Sequence, residues 1–114
     1  MSELVSKADV LAALSSHVGA TNGISGHDLT SRVAGLFGGP GAERQVRHVI
    51  EELRREGHHI CGTPSTGYFI AANDEELLRT VRFLYERAMT SLSQISAMQR
   101  VSLPDLRGQL RIPT

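Results

Sequence analysis

Residues 46–71 read Val46-Arg47-His48-Val49-Ile50-Glu51-Glu52-Leu53-Arg54-Arg55-Glu56-Gly57-His58-His59-Ile60-Cys61-Gly62-Thr63-Pro64-Ser65-Thr66-Gly67-Tyr68-Phe69-Ile70-Ala71. The apolar period changes once along this stretch. Val46, Val49, Ile50 and Leu53 fall three and four apart, the spacing of one helical face. Gly57 then stands where a left-handed C-terminal cap closes a helix. Beyond it, His59-Ile60-Cys61 and Gly67-Tyr68-Phe69-Ile70-Ala71 read as two short strands joined by the turn-rich Gly62-Thr63-Pro64-Ser65-Thr66. A two-stranded hairpin is marginal alone, so it must lie against helices, with Tyr68 and Ile70 on one face of its second strand.

Upstream, the tetrads Ser6–Asp9 and Ser25–Asp28 each precede an apolar helical stripe. A capping hydroxyl accepts from a free backbone N–H, while the acid three residues on suits the positive helix end. Leu11, Leu14 and Val18 predict a first helix over about Lys7 to His17, and Leu29, Val33 and Leu36 a second of roughly ten residues. Ile24 and Leu29 are placed as a hydrophobic staple across the second cap. The run Gly35-Leu36-Phe37-Gly38-Gly39-Pro40-Gly41 cannot continue a helix, so the third is predicted over roughly Ala42 to Glu56. Its exposed side reads Glu43, Arg44, Gln45, Arg47, His48, Glu51, Glu52, Arg54 and Arg55, where acids and bases such as Glu43 and Arg47 can pair.

Downstream, a third tetrad, Asn73–Glu76, opens the longest helix, predicted over about Asp74 to Arg100. Leu77, Val81, Leu84, Ala88, Leu92 and Ile95 recur near the helical period. At ~1.5 Å per residue this helix is about 40 Å long, more than a small three-helix core can cover. Leu77 to Ala88 is expected on the first helix and hairpin; Leu92, Ile95 and Met98 need another surface, and a second copy supplies it. Ser102 to Thr114, with Pro104, Gly108 and Pro113, reads as an irregular tail.

Composition narrows the function classes. With 114 residues, 40% apolar and 21% charged, the chain suits one soluble domain with a modest core. Its apolar runs are too short to span a bilayer, and its first residues lack the basic-then-apolar order of a secretory leader. A single cysteine, Cys61, allows no internal disulfide and fits a reducing cytoplasm. Residues 1–76 carry six basic and ten acidic groups, and residues 77–114 six and two, so the sum is zero. Any nucleic-acid contact in the first part must therefore rest on a few placed side chains. No residue pattern points to catalysis or to a cofactor, and the Gly38-Gly39-Pro40-Gly41 run lacks the Lys-Ser/Thr ending of a P-loop. His59 and Cys61 share a strand face and are competent zinc ligands, but two ligands do not make a site, and no metal is expected.

The order helix, helix, helix, hairpin, long helix is the winged helix plan. Ile50-Glu51-Glu52-Leu53-Arg54-Arg55-Glu56-Gly57-His58-His59-Ile60-Cys61, followed by Gly67-Tyr68-Phe69-Ile70-Ala71, resembles the recognition helix and wing of the biotin operon repressor's N-terminal domain and its relatives. The likeness is close over residues 46–71 and one of pattern only over 7–36. Short proteins of phages and prophages, in which the wing leads into an Arg-bearing helix, are similar. The Gly35–Gly41 segment is longer than the family's turn, and no ligase or effector domain follows, so small-molecule sensing does not carry over.

The resemblance implies an α+β, mainly α fold with a winged helix-turn-helix domain over 1–72; the residue pattern beyond it adds a long helix expected over 73–100 to pack on the core and dimerise, and an irregular tail over 101–114. It implies a double-stranded DNA-binding protein, bacterial or phage-encoded and cytoplasmic, acting as a transcription regulator or replication-origin binder. Arg44, Gln45, Arg47 and His48 are expected at base edges or phosphates, since Arg pairs twice with guanine and Gln with adenine. Thr63, Ser65 and Thr66 are expected at phosphate or sugar. A homodimer would present two recognition helices to one site. The alternative of another class is a winged helix interaction module that holds a protein partner through the long helix and the wing.

Overall fold

Ser6, Ser25 and Asn73 each cap a helix as their tetrads predict. The N–H of Asp9 donates to Ser6 Oγ at 3.1 Å, that of Asp28 to Ser25 Oγ at 3.0 Å, and that of Glu76 to Asn73 Oδ1 at 2.9 Å. The computed structural model describes residues 5–35 and 40–99. The elements are α1 (Lys7–Leu14), a 3-10 turn (Ala20–Asn22), α2 (Gly26–Ala34), α3 (Pro40–Arg55), β1 (Ile60–Thr63), β2 (Gly67–Ile70) and α4 (Asp74–Gln99). This is a mainly α, winged-helix-type architecture with a two-stranded antiparallel wing and a long C-terminal helix. The predicted tail, and Leu36 of the predicted second stripe, lie outside the described residues.

α1 ends three residues before the predicted His17, because the chain beyond it is needed extended beside β2. Ile70 N–H donates to His17 O at 2.8 Å and Gly19 N–H to Ile70 O at 2.9 Å. Further on, Ile24 and Tyr68 exchange both backbone hydrogen bonds, at 2.9 and 2.7 Å. β2 is therefore paired with β1 on one edge and with these short bridges on the other. Val18, predicted within the first apolar stripe, is consequently half exposed.

One cluster fills the space between the first three helices and the wing. It joins Val5, Val10, Leu14, Ile24, Leu29, Ala34, Ala42, Val46, Val49, Ile50, Leu53 and Ile60, with Tyr68 and Ile70 packed against it. Burying side chains the size of Leu14, Leu29, Ile50 and Leu53 stabilises by roughly 1.5–3 kcal/mol each. Ile24 and Leu29 both lie in this cluster, as the staple requires. At the far end of α3, Gly57 has φ +98°. Its N–H donates to Arg54 O, and that of His58 to Leu53 O, each at 3.0 Å, completing a Schellman cap.

The wing is covered on both faces rather than one. Cys61 and Phe69 stand opposite each other in the β1–β2 register and are buried away from Tyr68 and Ile70. The start of α4 meets this second face: Gly62 N–H donates to the buried Thr80 Oγ1 at 3.4 Å, and the Cys61 thiol lies 3.7 Å from Glu76 O. Glu76 adds a clip across sequence. Its Oε1 accepts from Ala72 N–H at 2.9 Å and its Oε2 from Ala20 N–H at 3.0 Å. The Ala72 and then the Ala20 N–H groups hold its carboxyl below the usual carboxylate range, Arg79 adding to the effect and desolvation opposing it.

A carboxyl depressed in this way stabilises the fold above its unfolded pKa, and that stability is lost as the pH falls through the folded value. Glu76→Gln should therefore lower Tm at neutral pH, with the gap to wild type closing below about pH 4. A gap that stayed constant with pH in thermal melts would show that the charge of Glu76 does not hold Ala20 and Ala72 together.

The chain divides into two compact units, with the boundary inside α4 between Thr80 and Val81. The second unit is helical to Gln99, and Arg87 sits 5.6 Å from the centre of the Phe83 ring, within cation–π range. Along α4 the predicted stripe is half-buried at Leu77 and Leu92 but exposed at Val81, Leu84, Ala88 and Ile95, and Met98 is 83% exposed. Thr80 is the buried residue of this helix among those described. No helix among the described residues is long and apolar enough to cross a membrane.

Candidate nucleic-acid interface

α3 has two faces of opposite chemistry. Ala42, Val46, Val49, Ile50 and Leu53 are at most 6% exposed, whereas Arg44, Gln45, Arg47 and His48 all stand in solvent. The apolar row is what aims the polar one: with five anchors in the core, the helix cannot rotate to hide its first two turns. The side chains of Arg44, Gln45 and Arg47 make no hydrogen bond or ion pair among the described residues. The Glu43–Arg47 pair that the spacing allows is not formed among them either. His48 Nε2 lies 3.8 Å from Glu52 Oε2, one turn on, and an exposed pair of this kind adds little stability.

Arg54 departs from its predicted place on the exposed side. It is half-buried, and its Nε donates to Ile60 O at 2.7 Å, tying the end of α3 to β1. Desolvation lowers its pKa, opposed by Tyr68, Cys61 and Glu51. The signal for this was present, since Val46, Ile50 and Arg54 are four apart and continue one row down the helix. Glu76 was also missed beyond its capping role, because no local pattern links residue 76 to residue 20.

At the wing tip the three predicted hydroxyls behave differently. Thr66 Oγ1 accepts from Thr63 N–H at 3.1 Å and donates to Gly67 O at 2.9 Å; Thr63 Oγ1 accepts from Thr66 N–H at 3.2 Å. These two threonines stitch the turn. Ser65 is exposed, with its Oγ 3.2 Å from Thr63 Oγ1.

His59 and Cys61 are separated by burial, the histidine on the surface and the cysteine in the core. Among the described residues no group of three or more His, Cys, Asp or Glu side chains is arranged to hold a metal ion. His17 is engaged locally: its Nδ1 lies 2.9 Å from Asn22 O, and Arg32 Nη1 donates to its Nε2 at 3.1 Å, a geometry that places the ring proton on Nδ1.

The arrangement thus offers a solvent-facing row with two guanidinium groups, an amide and an imidazole, on a helix whose far end is tied to the β-ribbon through Arg54. Its chemistry suits planar, acceptor-rich edges and anionic oxygens. Comparison of the chain with protein-family models, with curated proteins and with solved structures finds no match, so the winged-helix-type assignment rests on element order, wing and helix faces alone.

Proposed function

We propose that this protein binds double-stranded DNA sequence-specifically, laying the first turns of α3 in the major groove with the wing beside the backbone. The observation that carries this reading is the exposed row Arg44, Gln45, Arg47 and His48 on a helix whose other side is sealed in the core. Arg44 and Arg47 can each reach guanine O6 and N7, Gln45 suits adenine N6 and N7, and His48 suits a base edge or phosphate. Of the wing hydroxyls Thr63, Ser65 and Thr66, all engaged within the turn, Ser65 is the most exposed and leads the contact with phosphate. The role would be that of a transcription regulator or replication-origin binder, in the manner of the biotin operon repressor's N-terminal domain, within a bacterial or phage setting. A homodimer through Leu92, Ile95 and Met98 would double the phosphate contacts of a chain with no net charge.

The test is duplex binding as a function of salt. Affinity should fall by roughly a hundredfold between about 50 and about 200 mM salt. Absence of duplex binding even at the low end would end this reading.

The second reading is a winged helix module that holds another protein. The zero net charge favours it, as do the exposed Leu78, Val81 and Tyr85, each more than half accessible.

A further inference from the structure

We infer that Glu51 is a specificity-determining residue of the duplex interface, accepting a hydrogen bond from the exocyclic amine of a cytosine. The inference rests on the major-groove reading of α3. Arg44, Arg47, His48, Glu51 and Arg55 lie three and four apart and are all exposed, so Glu51 belongs to the row that would face DNA.

A carboxylate in that row is repelled by phosphate and must find a donor on a base edge. In the major groove, guanine offers acceptors and thymine an acceptor and a methyl group. Adenine sets its amine beside the N7 acceptor, which repels a carboxylate, whereas the cytosine amine has no acceptor beside it on that edge. Cytosine is therefore the base whose edge fits Glu51.

The competing explanation is that Glu51 neutralises Arg47 or Arg55, each one turn away. Neither pair forms; among the described residues the ion pairs are Lys7–Glu56, His48–Glu52 and Glu75–Arg79. Arg54, whose charge Glu51 does favour, is bonded to Ile60 O. Four residues of helix span about 6 Å, just under two base-pair steps of about 3.4 Å. Arg47 on a guanine and Glu51 on a cytosine thus reach neighbouring or next-but-one pairs. An acid so placed also weakens binding to every duplex lacking that donor, exchanging general attraction for discrimination.

The test is selection from a library of random-sequence duplexes, run with the wild type, Glu51→Gln and Glu51→Ala after thermal melts confirm that all three fold alike. The wild type should fix a cytosine at one position of its site. Glu51→Gln should shift that position toward adenine, and Glu51→Ala should make it indifferent, a loss of roughly five- to thirtyfold in discrimination. Both variants should bind the unselected library more tightly, by about two- to fivefold. If the wild type selects sites but the variants return the same base profile, Glu51 does not read a base and the inference fails alone. If the wild type binds no duplex, the DNA reading fails and takes this inference with it.

Discussion

Replacing Arg44 and Arg47 together with alanine should lower duplex affinity by about a hundredfold or more while leaving the melting temperature unchanged. Both side chains are exposed and make no contact that holds the fold, so their removal subtracts from binding alone. Arg contacts to base edges are worth about 1–3 kcal/mol each, and two such losses give a decrease of this size. The salt dependence distinguishes what the arginines touch. If they contact phosphates, the slope of log affinity against log salt should fall by about one for each residue removed. If they read guanines, sequence preference should relax instead. Equilibrium titration with duplex over a salt series measures both. Retention of wild-type affinity by the folded double variant would remove α3 as the DNA surface and place duplex binding elsewhere on the protein; capture of a protein partner through α4 and the wing should be left undisturbed by this variant in either case.

Gly67→Ala should destabilise the protein by about 3 kcal/mol or more, a large share of the 5–15 kcal/mol typical of a folded domain. The backbone at Gly67 has φ +72°, a region that L side chains rarely adopt. A Cβ there would also lie 2.5 Å from Ile24 O and 2.7 Å from Ile24 C. Neither atom can yield cheaply, because Ile24 O accepts from Tyr68 N–H at 2.7 Å and the Ile24 side chain is buried in the core. The substitution should therefore break the bridge that fastens the second strand to the start of α2, lowering Tm by roughly 10–20 °C. Gly57→Ala is the matched control, since Gly57 also has positive φ but a Cβ there would meet nothing within 4 Å. Its cost should be the backbone strain alone, about 1–2 kcal/mol. Equal losses in the two variants, measured by thermal and denaturant unfolding, would show that the close approach at Gly67 carries no energy of its own.

The features legible in the residues were the local ones. Capping side chains act on backbone groups three positions away, so Ser6, Ser25 and Asn73 marked the helix starts without help from distant contacts. Gly57 marked the end of α3 for the same reason, and the change of period after it announced the wing. The outward edge Arg44–His48 followed from the apolar row that anchors its helix.

Tertiary packing decided whatever depended on partners far along the chain. Residues 17–24 leave the helix to pair with β2, an energetic choice made by hydrogen bonds across about fifty residues that no local pattern encodes. Likewise Glu76 bonds the backbone of Ala20, Arg54 turns from the exposed row to Ile60 O, and Thr63 and Thr66 spend their hydroxyls on their own turn. A polar side chain's position on a helix or loop fixes its reach, but which donor or acceptor it finds there is known only when the other segments have been brought alongside.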